Sequence, residues 1–366
     1  MNKYVIGLVV LIIIIGGYWS WKGHNVQPTA PIKIGGLFGL TGYAAFAGEA
    51  SRNGFLMAME DSGMNVPYVV EDFRSDLKGV VTGASKLIDV DNVTVVIGPE
   101  WNEFSQIIMP IATTKKTLFI SPWMSGDAQW INSPYFFSGT PSERTEIKAV
   151  LDRLVARGDT TLGVVYSKNA WSKGIFDWIT EEAGKMEGKI KIVATIDPNE
   201  TATDYRTEIT KLKQARPDAV FIALATDDAT NIFLKQYKEL GGETPLYMPY
   251  SRGVVLAGSA RTNAVGVIYP AVKDYEKTKE FNTRYEQKYG MKPAAISGVV
   301  AYDMTTLVLS AIKSGAKTTD EIVAYLRNLK NYKGYSGVIE FTDRGLLKAR
   351  EVELRRVTNN GYEMVQ

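Results

Sequence analysis

Three stretches put polar and aromatic side chains where strands of a parallel sheet would end. The run GGLFGLTGYAAFAG (35–48) leaves a strand and enters a helix. Its glycines at 35, 36, 39, 42 and 48 do not space as GxGxxG, and no Gly-Lys-Ser/Thr follows. A dinucleotide or phosphate loop is therefore disfavoured, and a ligand-lining turn at the carboxyl end of a parallel strand is the physical default. VIGPEWNEFSQ (96–106) ends a strand at Ile97, turns at Gly98-Pro99 and opens a helix near Asn102–Phe104. Asn and Ser beside free backbone N–H groups suit an anion such as a carboxylate. The plainer alternative is that Asn102 only caps its helix. LFISPWMSGD (118–127) repeats the arrangement with Ser121 and Ser125. Trp101, Trp123, Trp130 and Trp171 all fall in loops beyond strand ends, where they line a pocket or else pack their own loops. Asp227-Asp228 follow AVFIALAT at another strand end. They either meet a ligand cation or start the next helix, and they lack an EF-hand pattern.

Other chemistry is removed by composition. The 366 residues include no Cys and one His, His24. Thiol nucleophiles, disulfides and thiolate metal sites are excluded. A Ser-His-Asp triad or a zinc site of HExxH type has no histidine in the folded body to use. Lys plus Arg number 42 against 40 Asp plus Glu, a net charge of +2, which leaves no whole-chain electrostatic case for nucleic acid. With 45% hydrophobic and 22% charged residues the chain reads as globular. The charged runs KNAWSKG (168–174), RYEQKYG (284–290) and YLRNLKNYKG (325–334) read as solvated faces.

The elements that must position these residues alternate strand and helix. Strands are expected at 32–38, 68–72, 93–97, 118–120, 161–166, 190–196, 219–224, 246–248 and 265–269. They are short, rich in Val, Ile and Tyr, and apolar on both faces, as buried parallel strands are. Leu77, Val80, Val81, Ala84, Leu87 and Ile88 keep a helical period, as do Ile147, Val150, Leu151, Leu154 and Val155, with Gly158 as a C-cap. Repeated βα units on this length imply an α/β protein of two sheets with helices on both faces. Three more helices follow at 274–290, 294–315 and 319–329, then an antiparallel ending through GVIEFT (337–342) and AREVELRRVT (349–358). Ahead of all this, residues 4–21 carry no charge and span roughly 27 Å as a helix, about one hydrocarbon core. They read as a transmembrane anchor or a cleaved signal segment, and either exports the remainder.

Five motifs in order carry a family resemblance: IKIGGLFGLTGYAAFAGEASRNGFLMAME, VIGPEWNEFSQ, LFISPWMS, AYDMTTLVLSAIKSG and YSGVIEFTDRGLLKAREVELRRV. The most specific are the LTG-x-x-A-x-x-G turn at 40–48, G-x-I-x-F-x-x-x-G at 337–345, and Ala301-Tyr302-Asp303. Together they resemble the type 1 periplasmic binding proteins, and within them the branched-chain (Leu/Ile/Val) amino-acid binding proteins of ABC importers, over about residues 32 to 365. The resemblance implies two doubly wound lobes joined by three hinge crossings, near Gly139–Ser142, Tyr269–Val272 and Ser336–Phe341. The expected division is an anchor or signal segment 1–21, a linker 22–31, lobe 1 at 32–141 plus 271–337, and lobe 2 at 142–270 plus 338–366.

By the same resemblance a ligand carboxylate would meet Asn102, the Trp123 backbone and Ser125. Phe46 and Ala47 would lie beside them, Trp171 would cover the ligand from the other lobe, and Thr226 or Asp227 would reach in. The family's acidic residue for a ligand ammonium is replaced here, in MPYSRG (248–253), by Ser251 or Arg252. An unpaired buried ammonium costs several kcal/mol, so a free amino acid needs another carboxylate, with Asp227 or Glu100 as candidates. Otherwise the ligand is an aromatic or aliphatic carboxylate or a small amide. The expected protein is an extracytoplasmic receptor that binds a small molecule, works with ABC permease subunits in the membrane, uses no cofactor or metal, binds no nucleic acid and is not an enzyme. The alternative is a ligand-sensing ectodomain that signals through a partner chain.

Overall fold

The computed structural model describes residues 32–127, 130–199, 201–224, 226–249, 261–272 and 276–365. The expected anchor (1–21) and linker (22–31) lie outside these residues, as do Ser251 and Arg252. Among the described residues no helix is long and apolar enough to cross a membrane.

The first half alternates as β1 (Ile34–Phe38), α1 (Ala45–Asp61), β2 (Tyr68–Asp72), α2 (Leu77–Ser85), β3 (Val95–Ile97), α3 (Asn102–Lys115), β4 (Leu118–Ser121) and β5 (Phe136–Ser138). Its five strands form a parallel sheet in the order β2-β1-β3-β4-β5. Strands β1, β3, β4 and β5 are buried along their whole length because helices cover both faces. On one face Val80, Ala84, Phe104, Ile108 and Ala112 from α2 and α3 meet Leu37, Val96, Phe119 and Phe136. On the other, Phe55 of α1 packs with Ile34, Val95, Ile97 and Ile120.

The chain then runs through α4 (Arg144–Arg157), β6 (Thr161–Tyr166), α5 (Ala170–Lys185), β7 (Lys191–Ile196), α6 (Arg206–Ala215), β8 (Ala219–Ala223), α7 (Asp227–Glu239), β9 (Leu246–Tyr247), α8 (Arg261–Ala264) and β10 (Ile268–Val272). It continues with α9 (Glu276–Tyr289), α10 (Ser297–Lys313), α11 (Thr319–Arg327), a hairpin of β11 (Tyr332–Gly334) and β12 (Gly337–Ile339), and the antiparallel pair β13 (Val352–Thr358) and β14 (Gly361–Met364). The second sheet has the order β14-β13-β10-β9-β8-β6-β7, parallel from β7 to β10 and antiparallel beyond. Two sheets with helices on both faces are what the alternation predicts.

Local signals account for several helix ends. Gly158 closes α4 at φ +85°, in the left-handed region a glycine enters without a Cβ penalty. Asn169, Thr226 and Thr318 cap α5, α7 and α11 with their side chains. Three strand expectations need correction. β5 was not anticipated, since three residues between Pro134 and Gly139 give no alternation to read. β10 lies at 268–272 rather than 265–269, because Gly266 turns at φ +94° and the strand runs on through Pro270. The end of the run 325–334 is strand β11, not only solvated surface.

Of the expected crossings, Gly139–Ser142 lies between β5 of the first sheet and α4, whose Ile147, Val150, Leu151 and Leu154 join the core of the second. Tyr269–Val272 falls inside β10 itself, the last strand before α9, and Phe281 of α9 packs with the first sheet. Ser336–Phe341 covers β12, and both Phe341 and Leu347 still pack in the first core before β13 enters the second sheet. That third passage is pinned by Asp303 of α10, which is 1% exposed and accepts backbone N–H bonds from Tyr335 at 2.9 Å and Ser336 at 2.6 Å. Burial pushes its carboxyl above the ordinary value despite those bonds. Asp303→Ala is expected to destabilise the fold by roughly 2–4 kcal/mol, the scale of two charged hydrogen bonds. Hydrogen exchange checks the assignment: the Tyr335 and Ser336 amides should lose protection first, and unchanged protection there would refute it.

Candidate ligand-binding cleft

The strand orders place the site. In the first sheet the order reverses direction between β1 and β3, and in the second between β6 and β8. Ligands of doubly wound sheets sit outside the carboxyl ends of strands at such switch points. The turns after β1 and β3 carry Tyr43 and Trp101, with Phe46 and Asn102 in the first turns of the helices that follow; after β6 and β8, Thr226 caps its helix while Asp227 and Trp171, the latter not in a loop as expected, stand in first helical turns.

Aromatic rings line the first switch point. Trp101 stacks with Tyr43 at 5.3 Å between centroids, meets Phe46 at 6.0 Å, and stands edge-on to Trp123 at 6.4 Å. Phe46 also meets Trp123 edge-on at 6.5 Å. Tyr43 and Phe46 are 63% and 42% exposed, so the outer side of this wall is open to solvent. Behind it Trp101 stacks on Phe104, which packs on Phe73 in the core. The wall is thus anchored on buried rings and presents apolar faces outward, a surface for a flat or branched apolar group.

The turn that holds Trp101 is under backbone strain. Gly98 adopts φ +109° and Trp101 φ 67°, the latter in a region that bulky residues rarely enter. The Trp101 N–H donates to the Trp123 carbonyl, which ties the two crossovers together. Asn102 does not cap α3. It is the first residue of the helix, no side chain caps that end, and its buried Oδ1 has no partner. Glu100, just before Trp101 in this turn, is wholly buried, and burial pushes its carboxyl up to about 7. The Ser51 hydroxyl and the N–H groups of Gly39 and Glu100 favour its charge, yet neither carboxylate oxygen has a bonded partner. The Ser51 proton is given instead to the Ala47 carbonyl at 2.9 Å.

A second group of residues continues from the same crossover. The Ser125 carbonyl accepts from the Glu143 N–H at 3.3 Å, and the Glu143 carboxylate accepts the Trp171 indole N–H at 3.0 Å. Glu143 is 6% exposed. Arg144 beside it binds Asp127 at 3.0 Å, Glu181 at 2.6 Å and Glu182 at 2.7 Å, joining the β4–β5 connection to α5. Of the sequence candidates, then, Phe46, Trp101 and Trp123 form one cluster with Asn102 adjacent in the chain, and Ser125 and Trp171 are joined through Glu143. Asp227 stands in the first turn of α7, with Thr226 as its cap. Trp130 does not join the wall; it stacks on Trp178 of α5 at 5.4 Å, packing the β4–β5 connection against that helix. Sequence reasoning missed Tyr43, which the LTGY turn contained, and Glu143, which had no strand end to mark it. Among the described residues no group of three or more His, Cys, Asp or Glu side chains is placed to hold a metal ion.

Two sheets whose parallel strands follow the same order, with the chain passing between them, have the architecture of two-part solute binders. A family profile described as periplasmic binding protein matches residues 31–361, and the chain belongs to that family. It is 26% identical over 257 residues to glutamate receptor 2.2 of Arabidopsis thaliana, covering 67% of this chain and 27% of the receptor's length. Two solved structures share the fold at 22% identity. One is the branched-chain amino acid transporter substrate binding protein LivJ of Streptococcus pneumoniae, in complex with isoleucine (TM-score 0.76, 92% of this chain and 99% of that one). The other is a solute binding protein of an ABC transporter from Rhodopseudomonas palustris, in complex with 3,4-dihydroxy benzoic acid (TM-score 0.77, 91% and 94%).

Proposed function

We propose that this protein is an extracytoplasmic solute receptor that captures a small carboxylate or amide, amino acids included, and delivers it to ABC permease subunits. The single observation that carries the reading is the open aromatic wall of Tyr43, Phe46, Trp101 and Trp123 at the first switch point. The two sheets act as lobes 32–141 plus 271–337 and 142–270 plus 338–366, closing on the ligand about the crossings between them. Asn102 and the N-terminus of the 14-residue α3 favour the acid group. Glu143, buried beside Trp171, supplies the carboxylate that a ligand ammonium needs in place of the family's acidic residue. Asp227, Ser251 and Arg252 complete the second lobe's contribution. The reading includes no catalysis, and the uncharged run 4–21 serves for export or tethering.

Calorimetry against amino acids, aromatic and aliphatic acids and amides tests it; no saturable ligand across that panel would overturn it. Thermal shift gives a cheaper screen, since a ligand at about 100 times its Kd adds ~2.7 kcal/mol. With a ligand in hand, Trp171→Ala and Ser125→Ala are each expected to weaken binding by ~1–3 kcal/mol. Unchanged affinity in both would move the pocket elsewhere. The likeness to a plant glutamate receptor favours a second reading, a sensing ectodomain acting through a partner chain. Co-purification with permease subunits supports transport; co-purification with a kinase or chemoreceptor supports sensing.

A further inference from the structure

We propose that Glu100 is a positioning residue through which a proton controls the aromatic half of the ligand site. Glu100 sits on the β3–α3 turn, next to Trp101, and its carboxyl faces Gly39 of the β1–α1 turn, which also carries Tyr43, and Ser51 of α1, the helix that carries Phe46. It is 0% exposed and both its oxygens lack bonded partners.

The charged groups on the elements around it are all engaged or exposed elsewhere. On α1, Glu49 is exposed and Arg52 binds the Asn53 side chain at 3.0 Å. At the end of β2, Asp72 accepts from the N–H groups of Leu40, Thr41 and Arg74. On α3, Glu103 is exposed. From the start of α10, Ser297 gives its proton to the Ala47 carbonyl at 3.0 Å. No ion pair reaches Glu100, so a charge there is opposed by burial and favoured only by the Ser51 hydroxyl and the Gly39 and Glu100 N–H groups.

The neutral acid therefore fits this geometry and the carboxylate does not. Ionisation has to be relieved by movement that admits water. The neighbouring turn, already held at φ 67° on Trp101, has strain to release. A ligand seated on Trp101 and Trp123 holds the turn in the neutral arrangement. Above the titration of Glu100, binding then takes up a proton, and affinity falls toward tenfold per pH unit. This last step rests on the proposed solute-binding function; the proton-driven movement of the turn does not.

Tryptophan emission of the ligand-free full chain, titrated from pH 5 to 9, separates the two. A transition near neutrality is expected in the natural protein, lost in Glu100→Gln and at least halved in Trp101→Phe. An identical transition in Glu100→Gln, or none in the natural protein, overturns the proposal. If Glu100→Gln does not fold, carbon-13 glutamate carboxyl shifts of the natural protein decide: one carboxyl titrating near neutrality supports it, and all titrating in the acid range refutes it. With isoleucine or 3,4-dihydroxy benzoic acid as probe, calorimetry in two buffers of different ionisation heat should show proton uptake above neutrality, absent in Glu100→Gln. Failure of every ligand to bind counts against the receptor reading and leaves the emission titration to judge Glu100.

Discussion

Glu100→Gln is expected to raise stability in alkaline buffer and change it little in acid. Burial holds the Glu100 carboxyl at about 7 in the fold, against an ordinary value of 4.5. Between those values the folded chain keeps a proton that the unfolded chain has lost. Stability from this group is therefore fully present below the unfolded value and is lost as pH rises through the folded one. A shift from 4.5 to about 7 corresponds to a loss of roughly 3 kcal/mol at high pH, at ~1.4 kcal/mol per unit. Glutamine keeps the shape and is neutral throughout. Urea unfolding should give curves that differ by less than about 1 kcal/mol at pH 5 and by roughly 3 kcal/mol at pH 9. Parallel pH dependence in the two proteins would mean that Glu100 is ionised without penalty.

Gly98→Ala is the second large effect. Gly98 sits at φ +109°, and a Cβ added there would stand 2.0 Å from the Leu37 carbonyl oxygen. Conformational strain of ~1–3 kcal/mol adds to a backbone clash that no rotamer relieves, for a total of about 3–5 kcal/mol. Because Gly98 begins the turn that carries Trp101, ligand binding should fail together with stability. Gly158→Ala separates the two causes. That glycine has φ +85° but nothing within 4 Å of an added Cβ, so only the conformational cost of about 1 kcal/mol applies. Thermal melts in which both variants lose the same few degrees would show that the Leu37 contact is relieved by movement.

The sequence made the βα rhythm legible wherever a strand was long or ended in a glycine turn. β2 and β6 fall on their expected residues, and β1, β3, β4, β7 and β8 differ only at their ends. β5, three residues long, and β10, carried through Pro270 by pairing with β13 and β9, depend on neighbours that no local pattern announces. The site divides in the same way. Trp101 and Trp123 are visible because tryptophans stand out beyond strand ends, whereas Phe46 comes only with the family resemblance. Glu143 was hidden because its meeting with Trp171 crosses 28 residues of chain. Glu100 was legible as a carboxylate but not as a buried one, since burial is a property of the two turns that close over it.

The shared strand order of the two sheets bears on how recognition is written along the chain. The wall at the first switch point comes from residues 43 to 123, and the second lobe's proposed contribution comes from residues 143 to 252. The two intervals do not overlap. Each half-site is thus a contiguous cassette on its own scaffold, and its turns can be altered without disturbing the strands of the other. For the receptor proposed above, ligand preference would be inheritable in halves: exchange of one interval between relatives would carry one wall of the proposed cleft with it and leave the crossings untouched.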